Sequence, residues 1–319
     1  MKAMKTFGLA SFVFLSGVLI SGCGPEESTE STEDGSVVAE SGASPVIYVV
    51  NYPLYYFTKR IAGDQAEVVL PESSGSDPAF WRPGDDVLAA YQNADLILLW
   101  GADFAKWVKN VSLPLSRVVD TSTDIASQLI YEEEAVSHSH GDEGKHSHGA
   151  IAFNTWLDFQ LMATQCKTIT ETLRARFPSG ADEFATAYDV LKQDLQDLDQ
   201  QFQAAVPDGF SETVFSSHPV YQYLGRRYGL SLINFHWEPG EMPDAEEWEL
   251  FDQRVKETGV RFMLWEGAPT DEIRARLESV GVTPIVILTG SGFPKEGDFR
   301  SVMSKNARAL ASALGQGAP

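Results

Sequence analysis

Four of the six histidines in this chain fall inside one short tract, "SHSHGDEGKHSHG". They are His138, His140, His146 and His148, and Glu132, Glu133, Glu134, Asp142 and Glu143 crowd the same stretch. Neutral imidazoles and carboxylates are the side chains that bind transition metals. A low-complexity run of both therefore reads as metal-binding. As a flexible loop over 131–149, it would lose entropy on closing around an ion and hold it less tightly than a preformed cleft.

A second set is dispersed. His218 follows a strand pattern and precedes a helix pattern, the place where α/β sheets present ligand residues. Glu238 and Glu241, in "WEPGEMP", follow the next strand, and Glu266, in "LWEGAP", ends the one after. Asp77 lies in the loop "GSDPAFWRP". Carboxylates are hard oxygen donors, so a site built from them and one histidine leans from zinc towards manganese. Trp81, with Phe80 and Ala79, makes the Asp77 loop apolar, a composition suited to an organic ligand. The chain has no Gly-rich phosphate loop, no Gly-x-Ser-x-Gly elbow and no His-Glu-x-x-His. Asp158, His218 and Glu266 are the acid/base group a hydrolase would use, but a non-enzymatic binder is the expected class.

These residues need strands and helices to hold them. Short apolar, β-branched runs such as "PVIYVVNY", "DLILLWG", "ETVFSSH" and "VRFMLWEG" read as buried strands. Helix patterns alternate with them, which implies parallel sheets with helical crossovers. Between the two alternating halves the pattern is all helical. Phe184, Tyr188, Leu191, Leu195, Leu198 and Phe202 recur at three and four over 181–205. Such a helix is ~37 Å long, a stiff spine between two lobes. Cys166 falls on another apolar helical stripe and reads as a packing thiol.

The N-terminus has Lys2 and Lys5 followed by the apolar run "FGLASFVFLSGVLI" and then "SGCG". "LISGC" looks like the lipobox of bacterial lipoproteins, with Cys23 as the lipidated residue. Residues 24–44 are rich in Ser, Glu, Thr and Gly, a disordered tether. The net charge of −21 argues against a nucleic-acid partner. The expected organisation is a signal peptide over 1–22, a tether over 23–45 and an N-terminal α/β lobe over 46–155. Connecting helices follow over 156–206 and a C-terminal α/β lobe over 207–319.

Several strings, in order, resemble the zinc/manganese-type metal-binding solute-binding lipoproteins of ABC importers. They are "DPAFWRP" at 77–83, "NTWLD" at 154–158, "SHPVYQYLGRRYG" at 217–229 and "EGDFRSVMSKN" at 296–306. The resemblance implies two α/β lobes with mainly parallel sheets joined by a long rigid helix. It implies a lipid-anchored, extracytoplasmic protein of the cell envelope, taken to be monomeric, whose partner is an ABC permease in the inner membrane. It also implies a cleft for zinc, or alternatively manganese. The family's first two histidines fall on Ala79 and Asn154, its third on His218, and its acidic ligand on Gly290. The cleft is therefore expected to be degenerate, with Asn154, Asp77, Glu238, Glu241, Glu266 and Trp81 as cleft-lining or compensating residues. Ala79→His with Asn154→His is expected to restore affinity. The alternative is a relative that has lost cleft metal and binds an organic solute or a protein partner.

Overall fold

The computed structural model describes residues 44–72, 78–131, 137–140, 144–147 and 151–315, all within one compact unit. The signal peptide, Cys23, the tether, Asp77 and His148 lie outside these residues.

The N-terminal lobe is a four-stranded parallel sheet of β1 (Val46–Val49), β2 (Glu67–Val69), β3 (Leu96–Leu99) and β4 (Val118–Asp120), in the order β2-β1-β3-β4. The central strands β1 and β3 are nearly continuous apolar runs because both faces are covered. Helix α1 (Tyr52–Ala62) starts where Asn51 Oδ1 accepts the Leu54 amide at 2.9 Å, with Pro53 in its first turn. It stops at Gly63, whose φ of 55° few other residues adopt. Helix α2 (Asp85–Asn93) covers part of the sheet with its buried Tyr91. A two-stranded antiparallel hairpin, β5 (Ser137–His140) and β6 (Gly144–Ser147), occupies the histidine-rich tract, where an irregular loop was expected.

The stretch "TWLDFQLMATQCKTITETLRARF" is a tight turn at Thr155–Leu157 followed by α3 (Phe159–Arg176). Asp158 interrupts it because its carboxylate caps α3, accepting the amides of Gln160 and Leu161. Helix α4 (Ala181–Ala205) has the 25 residues foreseen for the spine, and Phe184, Leu191, Leu195, Leu198 and Phe202 are buried. Cys166 is a buried free thiol within the same core.

The C-terminal sheet holds β7 (Thr213–Ser216), β8 (Ser231–Asn234), β9 (Phe262–Trp265) and β10 (Thr283–Val286), all parallel in the order β10-β9-β7-β8. Helices α5 (Gln222–Tyr228), α6 (Ala245–Thr258) and α7 (Asp271–Ser279) make the crossovers. Asp244 and Glu247 close a reciprocal capping box at the start of α6. The final helix α8 (Phe299–Gly315) packs on α4 and β10, and Phe299 also meets Tyr56 and Phe57 of α1. One apolar cluster thus runs from the N-terminal sheet through α3, α4 and α8 to residues of the second sheet. A separate cluster, with Phe215, Trp237, Phe251, Met263 and Trp265, includes residues of α6 and α7. Among the described residues no helix is long and apolar enough to cross a membrane.

Candidate metal centre

Parallel strands all end on one side of their sheet, so residues just past neighbouring strands are brought together. Strand β7 lies between β8 and β9. His218 is two residues beyond β7, Glu238 four beyond β8 and Glu266 directly after β9. Hydrogen bonds continue past the strands and hold these segments in place. The Ser217 amide donates to Leu264 O at 2.8 Å, Phe235 to Ser216 O at 2.8 Å, and Trp237 to Ser217 O at 2.6 Å.

The side chains converge. His218 Nδ1 lies 3.4 Å from Glu238 Oε1, and His218, Glu238 and Glu266 each offer a ligand atom within 4.8 Å of the others. Zinc bonds nitrogen and oxygen at ~2.0–2.2 Å, so two donors on one tetrahedral ion sit ~3.3 Å apart. The His218–Glu238 pair is already at that spacing. His218 is buried and the two glutamates are half-buried, so the centre has a protein side and an open side. Two carboxylates and one neutral imidazole can offset the charge of a divalent cation. The same chemistry gives a weak acid/base pair, but Asp158, the third member a hydrolase would need, is engaged elsewhere. It caps α3 and faces Arg226 and Arg227 at 3.8 and 4.0 Å.

The other candidates are placed as follows. Glu241 is exposed and outside the triad. Trp81 lines an interlobe pocket of about 300 Å³ with Tyr52, Pro78, Ser291 and Phe293. Asn154 is buried, and its Nδ2 donates to Val220 O at 3.0 Å, while Oδ1 has no hydrogen-bond partner. Because the Val220 amide in turn donates to His218 O at 2.9 Å, Asn154 braces the turn that carries His218. Ala79 is fully buried in the main core and offers no ligand atom. Gly290 has φ of 73°, and a Cβ there would come within 2.7 Å of Met303 Cε. The acid expected at that place is absent, and the left-handed backbone there disfavours any side chain. The acid found beside His218 is instead Glu266, directly after β9.

In the hairpin, His138 pairs in register with His146 and His140 with Gly144.

Sequence reasoning overlooked His236. It lies on the segment that carries Glu238, and its ring is 5.8 Å from that of His218 at an interplanar angle of 82°. Burial pushes its pKa below the ordinary histidine value, which keeps it neutral near pH 7. The rule that picked out His218, a histidine just past a strand of a parallel sheet, applies equally to "INFHWE".

The chain matches, over residues 47–313, the family model described as zinc-uptake complex component A, periplasmic. It is 26% identical over 306 residues to the high-affinity zinc uptake system protein ZnuA of Bacillus subtilis strain 168, covering 93% of this chain and 94% of that one. It is 26% identical over 279 residues to the zinc-binding lipoprotein AdcA of Streptococcus pneumoniae strain R6, covering 84% of this chain and 55% of AdcA. The chain thus spans little more than half the length of the AdcA relatives. Among solved structures it resembles the metal-dependent lipoprotein YcdH of Bacillus subtilis, with a TM-score of 0.72 at 23% identity, covering 84% and 98% of the two chains. It also resembles Zn(II)-bound AdcA of S. pneumoniae, with a TM-score of 0.73 at 22% identity, covering 87% and 59%. These two likenesses bear on the fold, two parallel-sheet α/β lobes rich in helix.

Proposed function

The chain belongs to the family of the periplasmic zinc-uptake complex component A, and from that premise we propose that it captures zinc outside the cytoplasm for an ABC importer. The single observation that carries the site assignment is the convergence of His218, Glu238 and Glu266 at three adjacent strand ends. Zinc is the cargo, and these three residues are its proposed ligands. The family is a solute-binding transport component, so no catalytic step is assigned. The partner is an ABC permease, and Cys23 in "LISGC" carries the lipid that keeps the protein at the membrane. The names of the relatives support the choice of zinc.

The test is a titration of metal-free protein with zinc and with manganese, with the four tract histidines replaced by alanine so that only the cleft is counted. One zinc per chain is expected, bound ~1,000-fold more weakly in His218→Ala. Zinc affinity reduced less than ~10-fold in His218→Ala would overturn the assignment. A second reading, an organic solute between the lobes, draws on the pocket of about 300 Å³ walled by Trp81, Tyr52 and Phe293. It predicts that Trp81→Ala abolishes solute binding while zinc titration finds no cleft site.

A further inference from the structure

We propose that His236 is a fourth protein ligand of the ion, closing a two-histidine, two-carboxylate centre supplied wholly by the C-terminal lobe. The inference rests on the zinc reading above. The triad leaves one tetrahedral position open, and the places of the family's first two histidines supply no imidazole for it. Ala79 has no ligand atom, and Asn154 offers only a neutral amide oxygen, a weak zinc ligand, while its Nδ2 donates to Val220 O.

Backbone direction supports the assignment. Past the end of β8 the chain stays hydrogen-bonded alongside β7 through the Phe235 and Trp237 amides on Ser216 O and Ser217 O, and residues 235–238 alternate between buried and half-buried. In extended chain, successive side chains point to opposite sides. Phe235 and Trp237 are buried in the apolar cluster that includes residues of α6 and α7. His236 and Glu238 therefore share the other side, and Glu238 reaches His218 there. A His-x-Glu spacing in extended chain puts both donors on one face.

Distance agrees with direction. With Zn–N of ~2.0–2.1 Å, each imidazole centroid lies ~3.2 Å from the ion, so two rings at a tetrahedral angle have centroids ~5.2 Å apart. The His218 and His236 centroids are 5.8 Å apart. The observed separation exceeds that figure by ~0.6 Å; the ligand atoms of His218, Glu238 and Glu266 already lie within 4.8 Å of one another, and the proposal has His236 join them by turning its side chain as the ion binds. If His236 merely packed on His218, its loss would leave the coordination unchanged.

Cobalt(II) is the probe, because its visible d–d bands report ligand number and type. Full-length protein with His138, His140, His146 and His148 replaced by alanine is loaded with cobalt, then with zinc in competition against a chromophoric chelator. His236→Gln is expected to weaken zinc by at least ~10–100-fold, the range already seen when only an outer-shell partner of a ligand is lost, and to shift and weaken the cobalt bands. His236→Gly with added imidazole should recover them, which separates ligation from misfolding. Cobalt bands unchanged in His236→Gln would overturn the proposal, whatever happens to affinity. Loss of all cobalt binding in His218→Ala, with His236→Gln like the parent, would spare the zinc reading and reject His236. No cobalt or zinc uptake by the parent would reject the zinc reading itself and the inference with it.

Discussion

The two sides of the interlobe cleft are built for different tasks. On the N-terminal side the loop after β2 presents Pro78, buried Ala79 and Trp81, and faces Tyr52 and Phe293 across a small, largely apolar pocket. On the C-terminal side three adjacent strand ends present an imidazole and two carboxylates. A metal site divided between lobes changes its coordination whenever the lobes move. A site held by one sheet keeps its geometry, because strand register fixes it, and lobe movement can then only cover or uncover the ion. With the ligand set proposed above, the donors lie on the C-terminal side, and the described residues of the opposite loop add none.

The largest effect should come from the histidine all the other donors surround. His218→Ala, in protein lacking the tract histidines, is expected to weaken zinc by ~1,000-fold, about 4 kcal/mol, in chelator competition. A loss under tenfold would place the ion elsewhere. Glu266→Gln and Glu238→Gln should each cost ~10–100-fold, since an amide oxygen is a poor replacement for a carboxylate on zinc. If Glu241→Gln matched them, the triad would be drawn around the wrong acid.

Next comes a change on the other side. The sequence resemblance suggested that Ala79→His together with Asn154→His would restore affinity. Ala79 is fully buried, so a histidine there overfills the core and should cost ~1–3 kcal/mol of stability. The expected result is a lower thermal midpoint and unchanged zinc affinity. Tighter zinc in Ala79→His would show that the N-terminal side still shares the site. Deleting 132–148 should lower the number of weak zinc ions bound at saturation and leave the tightest one intact, as read by equilibrium dialysis. Smallest of all, Trp81→Ala should leave zinc affinity within about twofold, because no metal donor is removed. A marked loss would mean that the Trp81 loop contributes directly to holding the ion.

Much of this molecule is legible along the chain. Short β-branched runs alternating with amphipathic ones produced the strand and helix order of both lobes. The spacing of Phe184, Leu191, Leu195, Leu198 and Phe202 marked the spine, which α4 follows over its whole length. His218, Glu238 and Glu266 were recognisable as residues just past strands, because hydrophobic periodicity locates strand ends. The same logic passed over His236, where the strand pattern runs into the aromatic residues Phe235 and Trp237 and its end is less sharp. The turn before α3 was also missed, since "TWLDFQ" keeps a helical pattern although Asp158 caps the helix.

What the sequence by itself determined is the kind of protein, two α/β lobes on a helical spine with candidate ligands at strand ends, because periodicity and residue chemistry are local properties. Which candidates meet was decided only by tertiary structure. Strand order sets β7 between β8 and β9, and that neighbourhood brings Glu238 and Glu266 to His218 while leaving Glu241 in solvent. Likewise the closed core around Ala79 and the left-handed backbone at Gly290 against Met303 depend on residues far away in the chain. Burial and strand adjacency are relations between distant segments, and no local pattern encodes them.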